Sequence, residues 1–230
     1  MGDPPMTGGG FDRVAGTYRL LEHVAFGRTL QRARTAHLDV LRGCGDILVI
    51  GDGDGRCLEA IVAMAPDAHV TAIDASGAML ARARRRIAAA GAADRVTFRR
   101  ADVRRAGSWP LDHYDAIVTM FVLDCFTAGD VEAIVAALAR GVRPDGLWLF
   151  ADFAIPDRGW RRLHARLVVG LLYAFFRWTT GIEARSLPPA EATLVAQGFS
   201  PAGLREYRGG LIRSVWFRRA ISIRGAHSSE

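Results

Sequence analysis

Hydrophobic residues along the chain are grouped into short apolar runs, and segments with helical periodicity separate these runs. Five strand-like runs precede residue 156, and they cover 46–51, 69–74, 95–100, 114–121 and 146–153. Most of these runs are apolar at consecutive positions, which is typical of strands buried on both faces of a parallel sheet. Because strands alternate with helices, the pattern predicts a doubly wound α/β fold.

The helical segments between the runs carry recognisable start signals. Ser76 precedes the helix after the second strand, and serine is a favourable N-cap residue. The helix after the fourth strand begins at Thr127 or Asp130 and ends near Gly141. Before the first strand, residues 12–42 have the pattern of one or two helices.

The pattern changes after the fifth strand. Residues 158–180 form a long helical segment, and 188–198 form a short helix that begins with proline. Two further strands then flank Gly209 and Gly210, which predicts a hairpin. The chain is therefore expected to form one domain with a Rossmann-like, doubly wound, mostly parallel seven-stranded sheet. We expect a C-terminal antiparallel hairpin and helices on both faces of the sheet.

The charge of the chain does not by itself indicate a nucleic-acid partner. The formal net charge is +6, but the chain contains no lysine and its arginines are scattered along the sequence. The densest cluster, 81–87, has the pattern of a solvated helix face. We expect no nucleic-acid partner, although an RNA methyl acceptor that uses these arginines is an open alternative.

The composition also bears on location and on cysteine chemistry. The longest apolar run, 167–176, has 10 residues, whereas a membrane-spanning helix needs about 20. The first ten residues lack the pattern of a secretory signal, so we expect a cytoplasmic protein without a transmembrane segment. The three cysteines are widely spaced, which indicates free thiols and no metal site.

The most informative motif is the turn GDGDG after the first strand. It alternates glycine and aspartate, and its residues are Gly51, Asp52, Gly53, Asp54 and Gly55. A dinucleotide-binding turn requires G-x-G-x-x-G, but Arg56 stands at the third glycine position. Two carboxylates beside the turn make pyrophosphate a poor ligand. An NAD-type oxidoreductase stays open as an alternative.

Two further acids follow the next two strands. Asp74 ends the second strand, where a carboxylate can accept hydrogen bonds from both hydroxyls of a ribose. Asp102 follows the third strand and can accept from an exocyclic amine, with the Val103 amide available to a ring nitrogen. The three strand ends together describe a site for a nucleoside without phosphate.

The order of these motifs resembles that of the class I S-adenosylmethionine-dependent methyltransferases. The resemblance covers residues 12–155, and the closing strands match the final hairpin of that family. It implies an enzyme of class EC 2.1.1.- that uses S-adenosylmethionine and releases S-adenosylhomocysteine. The family often has an acid two positions before the first glycine, where this chain has Val49. Asp52 is a candidate for part of that role.

The resemblance implies a set of site residues and a division of the chain. The cofactor-binding candidates are Gly51, Asp52, Gly53, Gly55, Asp74, Ala75, Met79, Asp102, Val103 and Phe121, with Tyr18 and Arg34 in an N-terminal lid. For Met79, Tyr18 and Arg34, packing or surface roles are the alternatives. For Asp74 the alternative is a helix N-cap, and for Asp102 it is a turn residue. The segments are a helical lid (1–42), a cofactor-binding core (43–155), a helical acceptor-pocket insertion (156–198) and a closing hairpin (199–220).

The expected reaction is methyl transfer to a small, apolar or aromatic acceptor. Asp124, after the fourth strand, is the leading candidate for a base or a substrate-orienting acid, with an N-cap or structural role as the alternative. His164 is the second candidate base. The aromatic residues of 158–187 cover the acceptor, fill the core or pack on a second subunit of a homodimer. A non-catalytic nucleoside-binding protein is the remaining alternative.

Overall fold

The computed structural model describes residues 28–105, 113–156, 158–180 and 186–220, with the backbone alone at 175–180. Its strands are β1 (Asp46–Ile50), β2 (His69–Asp74), β3 (Val96–Arg100), β4 (Tyr114–Met120), β5 (Val142–Phe153), β6 (Phe199–Tyr207) and β7 (Ile212–Arg219). They form one sheet in the order β3-β2-β1-β4-β5-β7-β6. Six strands run in one direction, and β7 is antiparallel to both of its neighbours. The predicted Rossmann-like fold with a C-terminal antiparallel hairpin is confirmed.

Helices follow β1, β2 and β4, as the sequence predicts. Within the described residues they are α1 (Thr29–Arg34), α2 (Arg56–Met64), α3 (Gly77–Ala89), α4 (Ala128–Ala139), α5 (Trp160–Thr180) and α6 (Ala190–Ala196). Ser76 caps α3 by accepting from the Met79 amide. Thr127, rather than Asp130, is the N-cap of α4, and the two residues form a capping box. None of the described helices has the length and apolar character that a membrane span requires.

The core lies in two layers, one on each face of the sheet. Alternate residues of β1 point to opposite layers, so that Ile47 and Val49 belong to one hydrophobic cluster and Leu48 and Ile50 to the other. The first cluster contains residues of α1, α2 and α5, and the second contains residues of α4 and α6. Helices on both faces are therefore confirmed, and the consecutive apolar positions of β1 are explained by burial on both sides.

β5 begins earlier than its hydrophobic pattern indicates, and both β5 and β6 contain an irregularity. β5 starts at Val142 and contains an irregularity before residue 147, where Asp145 has a φ of 65°. β6 starts at Phe199, and its register shifts between Pro201 and Gly203. Turn-forming residues at both places conceal the strand in the sequence, because a bulge and a turn use the same residue types.

The strand order reverses between β1 and β4. From β1 the chain proceeds through β2 to β3 on one side of the sheet, and β4 and β5 lie on the other side. In open α/β sheets, ligands bind outside the carboxyl ends of the strands at such a switch point. The turns that follow β1 and β4 therefore mark the place to examine for a site.

Candidate cofactor and acceptor site

Two glycines of the turn after β1 allow close packing at the switch point. Gly51 has a φ of 68° and faces the side chain of Val122, which follows β4 and would clash with a Cβ at this position. Gly55 has a φ of 85°, and a Cβ there would lie 2.9 Å from Cα of Ala83 in α3. Both positions favour glycine for its backbone angle and for space.

Gly53 differs from its two neighbours because its face is open. Its φ is 66°, and the nearest atom to a Cβ built there is Sδ of Met79, at 3.9 Å. The Gly53 amide donates to Oδ2 of Asp74, at 3.1 Å, so the end of β2 holds the turn. A ligand can therefore approach the backbone at Gly53 between Met79 and the strand ends, as the sequence predicts for this turn.

Asp52 is directed towards α2. Its Oδ1 accepts from the Cys57 amide at 3.2 Å, and its Oδ2 accepts from the Leu58 amide at 2.9 Å. Burial raises the pKa of Asp52 to about 7, although the Leu58 amide and the nearby Arg34 favour its ionised form. The carboxylate caps a helix that lacks a side-chain cap at Gly55.

The second aspartate of the turn is neutralised by arginines. Oδ2 of Asp54 lies 3.3 Å from Nε of Arg56 and 3.7 Å from Nη2 of Arg86. Arg86 also donates to the Asp54 carbonyl at 3.0 Å and contacts Glu59 at 2.9 Å. Helix capping and ion pairs thus explain how a ligand-binding turn carries two carboxylates.

Val49, which stands where the family often has an acid, lies in the core. Val49 is 1% exposed and packs in the same cluster as Ile47. Both oxygens of Asp52 accept from amides of α2, and a share of that acid's role for Asp52 stays a prediction.

Asp74, at the end of β2, binds both the turn after β1 and the start of α3. Its Oδ2 binds the Gly53 amide, and its Oδ1 accepts from the amide of Ser76 at 2.8 Å. Ala75, between them, is exposed, and Met79 follows one turn into α3. Asp74 is therefore both a structural acid and the candidate ribose ligand, and the predicted cofactor residues Gly53, Asp74 and Met79 lie together.

Asp102 is engaged in a local turn. Its carboxylate accepts from the Arg104 amide at 3.0 Å and from the Arg104 guanidinium at 2.7 and 3.1 Å. Arg104 therefore lowers the pKa of Asp102. The Val103 side chain is buried in the second cluster. The turn role weighed for Asp102 is present, and contact with an adenine amine stays a prediction.

Phe121 links the end of β4 to the N-terminal part of the chain. It has a φ of 56°, which is unusual for an aromatic residue. The Arg34 guanidinium lies 5.0 Å from the centroid of its ring, and the Phe153 ring meets it edge to face at 5.7 Å. Arg34 thus lies at the switch point, close enough to Asp52 to affect its pKa. The predicted lid residue Tyr18 lies outside the described residues.

Asp124 lies in the turn after β4 and has three contacts there. The Asp124 amide donates to Oδ2 of Asp152 at 3.1 Å, and the phenol of Tyr173 donates to the Asp124 carbonyl at 2.8 Å. The thiol of Cys125 contacts Oδ1 of Asp124 at 3.5 Å. Since Thr127 is the N-cap of α4, the capping role weighed for Asp124 is excluded.

Asp124, which is half-buried, and Asp152, which is buried, form an acid pair. Asp152 is 3% exposed, and its Oδ1 accepts from its neighbouring Phe153 amide at 2.9 Å. Burial raises the pKa of both carboxyls. The adjacent charge of Asp124 raises the pKa of Asp152 further, whereas the hydrogen bond with Asp152 favours the ionised form of Asp124. The pair therefore holds a proton that separate carboxyls would lose, and burial likewise raises the pKa of Tyr173.

Sequence reasoning missed Asp152 and the role of Tyr173. The available signal for Asp152 was a single acid within the apolar run of β5. His164, in contrast, is exposed and contacts the Trp160 ring, whereas Tyr173 on α5 is buried. The structure does not bring His164 to Asp124. Among the described residues, no group of three or more His, Cys, Asp or Glu side chains is arranged to hold a metal, and the three cysteines are free.

Comparisons with known proteins agree with this geometry. A family described as "Methyltransferase domain" matches residues 47–146. The chain is 30% identical over 205 residues to demethylmenaquinone methyltransferase of Thermus thermophilus, and the match covers 83% of this chain and 91% of that protein. It is 36% identical over 109 residues to aclacinomycin 10-hydroxylase RdmB of Streptomyces purpurascens, covering 47% of this chain and 28% of that protein.

Solved structures share the fold. The structure of mitomycin 7-O-methyltransferase MmcR matches with a TM-score of 0.67 at 21% identity, over 91% of this chain and 60% of that chain. This chain thus spans less than two thirds of the mitomycin enzyme and about a quarter of the hydroxylase. The family match, the demethylmenaquinone relative and the ordered strand ends lead to one conclusion: the chain belongs to the class I S-adenosylmethionine-dependent methyltransferases.

Proposed function

We propose that the chain transfers a methyl group from S-adenosylmethionine to a small, apolar or aromatic acceptor. The observation that carries this proposal is the open backbone at Gly53, fastened by Asp74 at the switch point of a methyltransferase fold. Family membership supports the same cofactor, because the matched region includes the turn, the ribose strand and the end of β4.

The cofactor-side residues fit a nucleoside and an amino-acid group. Asp74 presents a carboxylate at the end of β2, where it can accept from ribose hydroxyls while it retains the Gly53 amide. Arg34, beside Phe121, is a cation for a cofactor carboxylate. Met79 offers an apolar contact at the mouth of the turn. When bound, S-adenosylmethionine supplies an electrophilic methyl group.

The acceptor-side residues handle the proton. An acceptor hydroxyl or amine loses a proton as it is methylated, and a nearby carboxylate of raised pKa is suited to receive it. Asp124 is the proposed proton acceptor, and Asp152 shares its charge within the pair. Tyr173 positions Asp124 by holding its carbonyl. His164 is not part of this proposal.

The choice of an apolar or aromatic acceptor is supported by the residues next to Asp124. Phe121 and Phe153 lie edge to face at the ends of β4 and β5, and Tyr173 follows on α5. Two relatives are named for demethylmenaquinone and mitomycin, which are small-molecule acceptors of those enzymes. No dedicated nucleic-acid element is needed for such an acceptor.

Calorimetry with S-adenosylmethionine and S-adenosylhomocysteine tests the cofactor. We expect both to bind, and Asp74→Ala to weaken binding by at least about tenfold, because charge-assisted hydrogen bonds are lost. Asp67→Ala, which removes an exposed acid, is the matched control. Asp74→Asn removes the charge and retains one oxygen for the Gly53 amide, but it loses the contact with the Ser76 amide, so a thermal melt of this variant measures the structural cost separately. If neither compound binds the folded wild-type chain, the proposal fails.

Hydroxylation of a small molecule is a second candidate function, because one relative is named as a hydroxylase. That name shows that a chain with a similar cofactor region is assigned another activity, so binding alone does not establish methyl transfer. The discriminating experiment supplies cofactor with a labelled methyl group and a panel of phenols, quinols and amines. Label in a product supports methyl transfer, whereas tight cofactor binding without labelled product favours the second candidate or a non-catalytic binding protein.

A further inference from the structure

One face of α5 is apolar and exposed. Seven large apolar side chains are exposed among the described residues, and four of them lie on this helix. These four, Trp160, Leu163, Leu167 and Leu171, are 61% to 74% exposed and recur at helical spacing. We call them the outer stripe. The opposite face of the helix holds Ala165, Val169 and Tyr173, which are buried.

The outer stripe is flanked by positive charge. Residues 158–180 include five arginines and no acid. At 100° per residue, Arg161 and Arg166 lie about 110° to either side of the centre of the stripe, and both are exposed. A helix with leucine and tryptophan on one face and arginine along both of its borders is suited to the surface of a lipid bilayer. The arginines meet the headgroups while the apolar side chains enter the acyl boundary.

We propose that the outer stripe and its bordering arginines form a docking surface for an anionic lipid bilayer. The helix lies in the plane of the interface and does not span the membrane. Charge complementarity selects this occupant, because every formally charged side chain at neutral pH in 158–180 is an arginine and the partner must supply negative charge.

A second copy of the chain fits this surface less well. Symmetric pairing of two α5 helices would place arginines of one copy beside arginines of the other, with no acid on either helix to balance them. The buried side of α5 is meanwhile fixed to the protein by the Tyr173 hydrogen bond to Asp124. The outer stripe can therefore contact lipid while the inner face keeps its place in the core.

Co-sedimentation of the full chain with lipid vesicles tests this surface. The vesicles are phosphatidylcholine alone or phosphatidylcholine mixed with phosphatidylglycerol. We expect binding to the mixed vesicles, weaker binding at high salt and little binding to phosphatidylcholine alone. The combined change Leu163→Gln, Leu167→Gln and Leu171→Gln should lower the partition coefficient at least about tenfold. Its control is Val195→Gln with Leu204→Gln, which removes exposed apolar side chains elsewhere.

The arginines are tested by a matched pair of double variants. Arg161→Gln with Arg166→Gln should lower binding to mixed vesicles by about tenfold or more. Arg85→Gln with Arg99→Gln changes the net charge equally at exposed positions away from α5 and should change binding less than about threefold. Equal losses in the two pairs would show that only the net charge of +6 matters, and would overturn the proposal.

Other occupants of the outer stripe give distinct results. If a second copy covers it, the wild-type chain is a dimer in light scattering, the leucine variant is a monomer, and vesicles are not bound. If another part of the chain covers it, vesicles are not bound and the oligomeric state is the same in both. Either result contradicts the proposal. An unchanged circular dichroism spectrum and melting temperature in the variants show that they are folded, and keep this test separate from that of the methyl transfer.

Discussion

The two halves of the candidate site are built in different ways. On the cofactor side, most contacts of the two acids are local: Asp52 accepts from amides five and six residues later, and Asp74 from one two residues later. The contact of Asp74 with the Gly53 amide is longer in sequence and spans 21 residues. On the acceptor side, Asp124 is held by residues 28 and 49 positions away. The cofactor side depends on backbone conformation, and the acceptor side on long-range contacts between side chains and backbone.

The two sides also differ in the kind of change that disturbs them. Positive φ angles at Gly51, Gly53 and Gly55 make the cofactor side sensitive to any added Cβ. The acceptor side contains two adjacent carboxyls with raised pKa values, whereas the cofactor side contains one, Asp52, so the acceptor side is the more sensitive to pH. We therefore expect steric substitutions to disturb the first region most, and changes of charge or pH the second.

The largest effect is expected for Gly55→Ala. Its Cβ would approach the backbone of Ala83 at a φ of 85°, so both backbone strain and overpacking apply. The free energy of unfolding should fall by about 2–4 kcal/mol in a urea titration. Gly91→Ala is the matched control, because Gly91 has a φ of 69° but no atom within 4 Å. A loss no larger than that of the control, about 1 kcal/mol, would contradict the packing role.

Asp152→Asn tests the acceptor side through pH. A carboxyl whose pKa is raised by folding holds its proton longer in the folded state than in the unfolded state. The free energy of unfolding therefore decreases as pH rises above about 4, by up to about 1.4 kcal/mol per pH unit for one proton. We expect this decrease to be smaller in Asp152→Asn. The raised pKa of Asp52 affects both proteins alike, so the difference between their slopes isolates the Asp124–Asp152 pair. Parallel slopes would show that the pair does not share a proton.

Tyr173→Phe removes one hydroxyl from the contact between α5 and the Asp124 turn. Loss of its hydrogen bond to the Asp124 carbonyl should lower the free energy of unfolding by about 1 kcal/mol. Tyr207→Phe removes an exposed hydroxyl that donates to the Arg32 carbonyl and should cost less. If Tyr173 positions Asp124, this variant also lowers kcat, by a larger factor than that by which it changes the KM for cofactor. Equal effects on both constants would indicate a merely structural role.

The smallest change in stability is expected for Asp102→Asn. Its partner Arg104 is only two residues away and partly exposed, so the ion pair should contribute less than about 1 kcal/mol. If Asp102 accepts from the adenine amine, affinity for S-adenosylhomocysteine falls several-fold while stability hardly changes. Calorimetry and a thermal melt of the same samples measure the two quantities. Unchanged affinity would leave Asp102 as a turn residue alone.

The same contrast explains what the sequence predicted. The sheet, the caps and the cluster of Gly53, Asp74 and Met79 could be predicted, because strand ends and their turns are local patterns. The contact between Asp124 and Asp152 could not, since it depends on the register of β4 against β5. The orientation of α5 was also concealed. Both of its faces are apolar, so the pattern could not show that Tyr173 faces inward and His164 outward.

The position of β7 between β5 and β6 has a consequence for folding during synthesis. During synthesis β1 to β5 can pair as they emerge, but β6 has no neighbour in the final sheet until β7 has been made. Until then one edge of β5 has no partner strand, along residues such as Trp148 and Leu149 that are buried in the final structure. Such an edge can recruit another nascent chain. The strand that follows β6 in the chain is therefore the one that seals the sheet against misassembly.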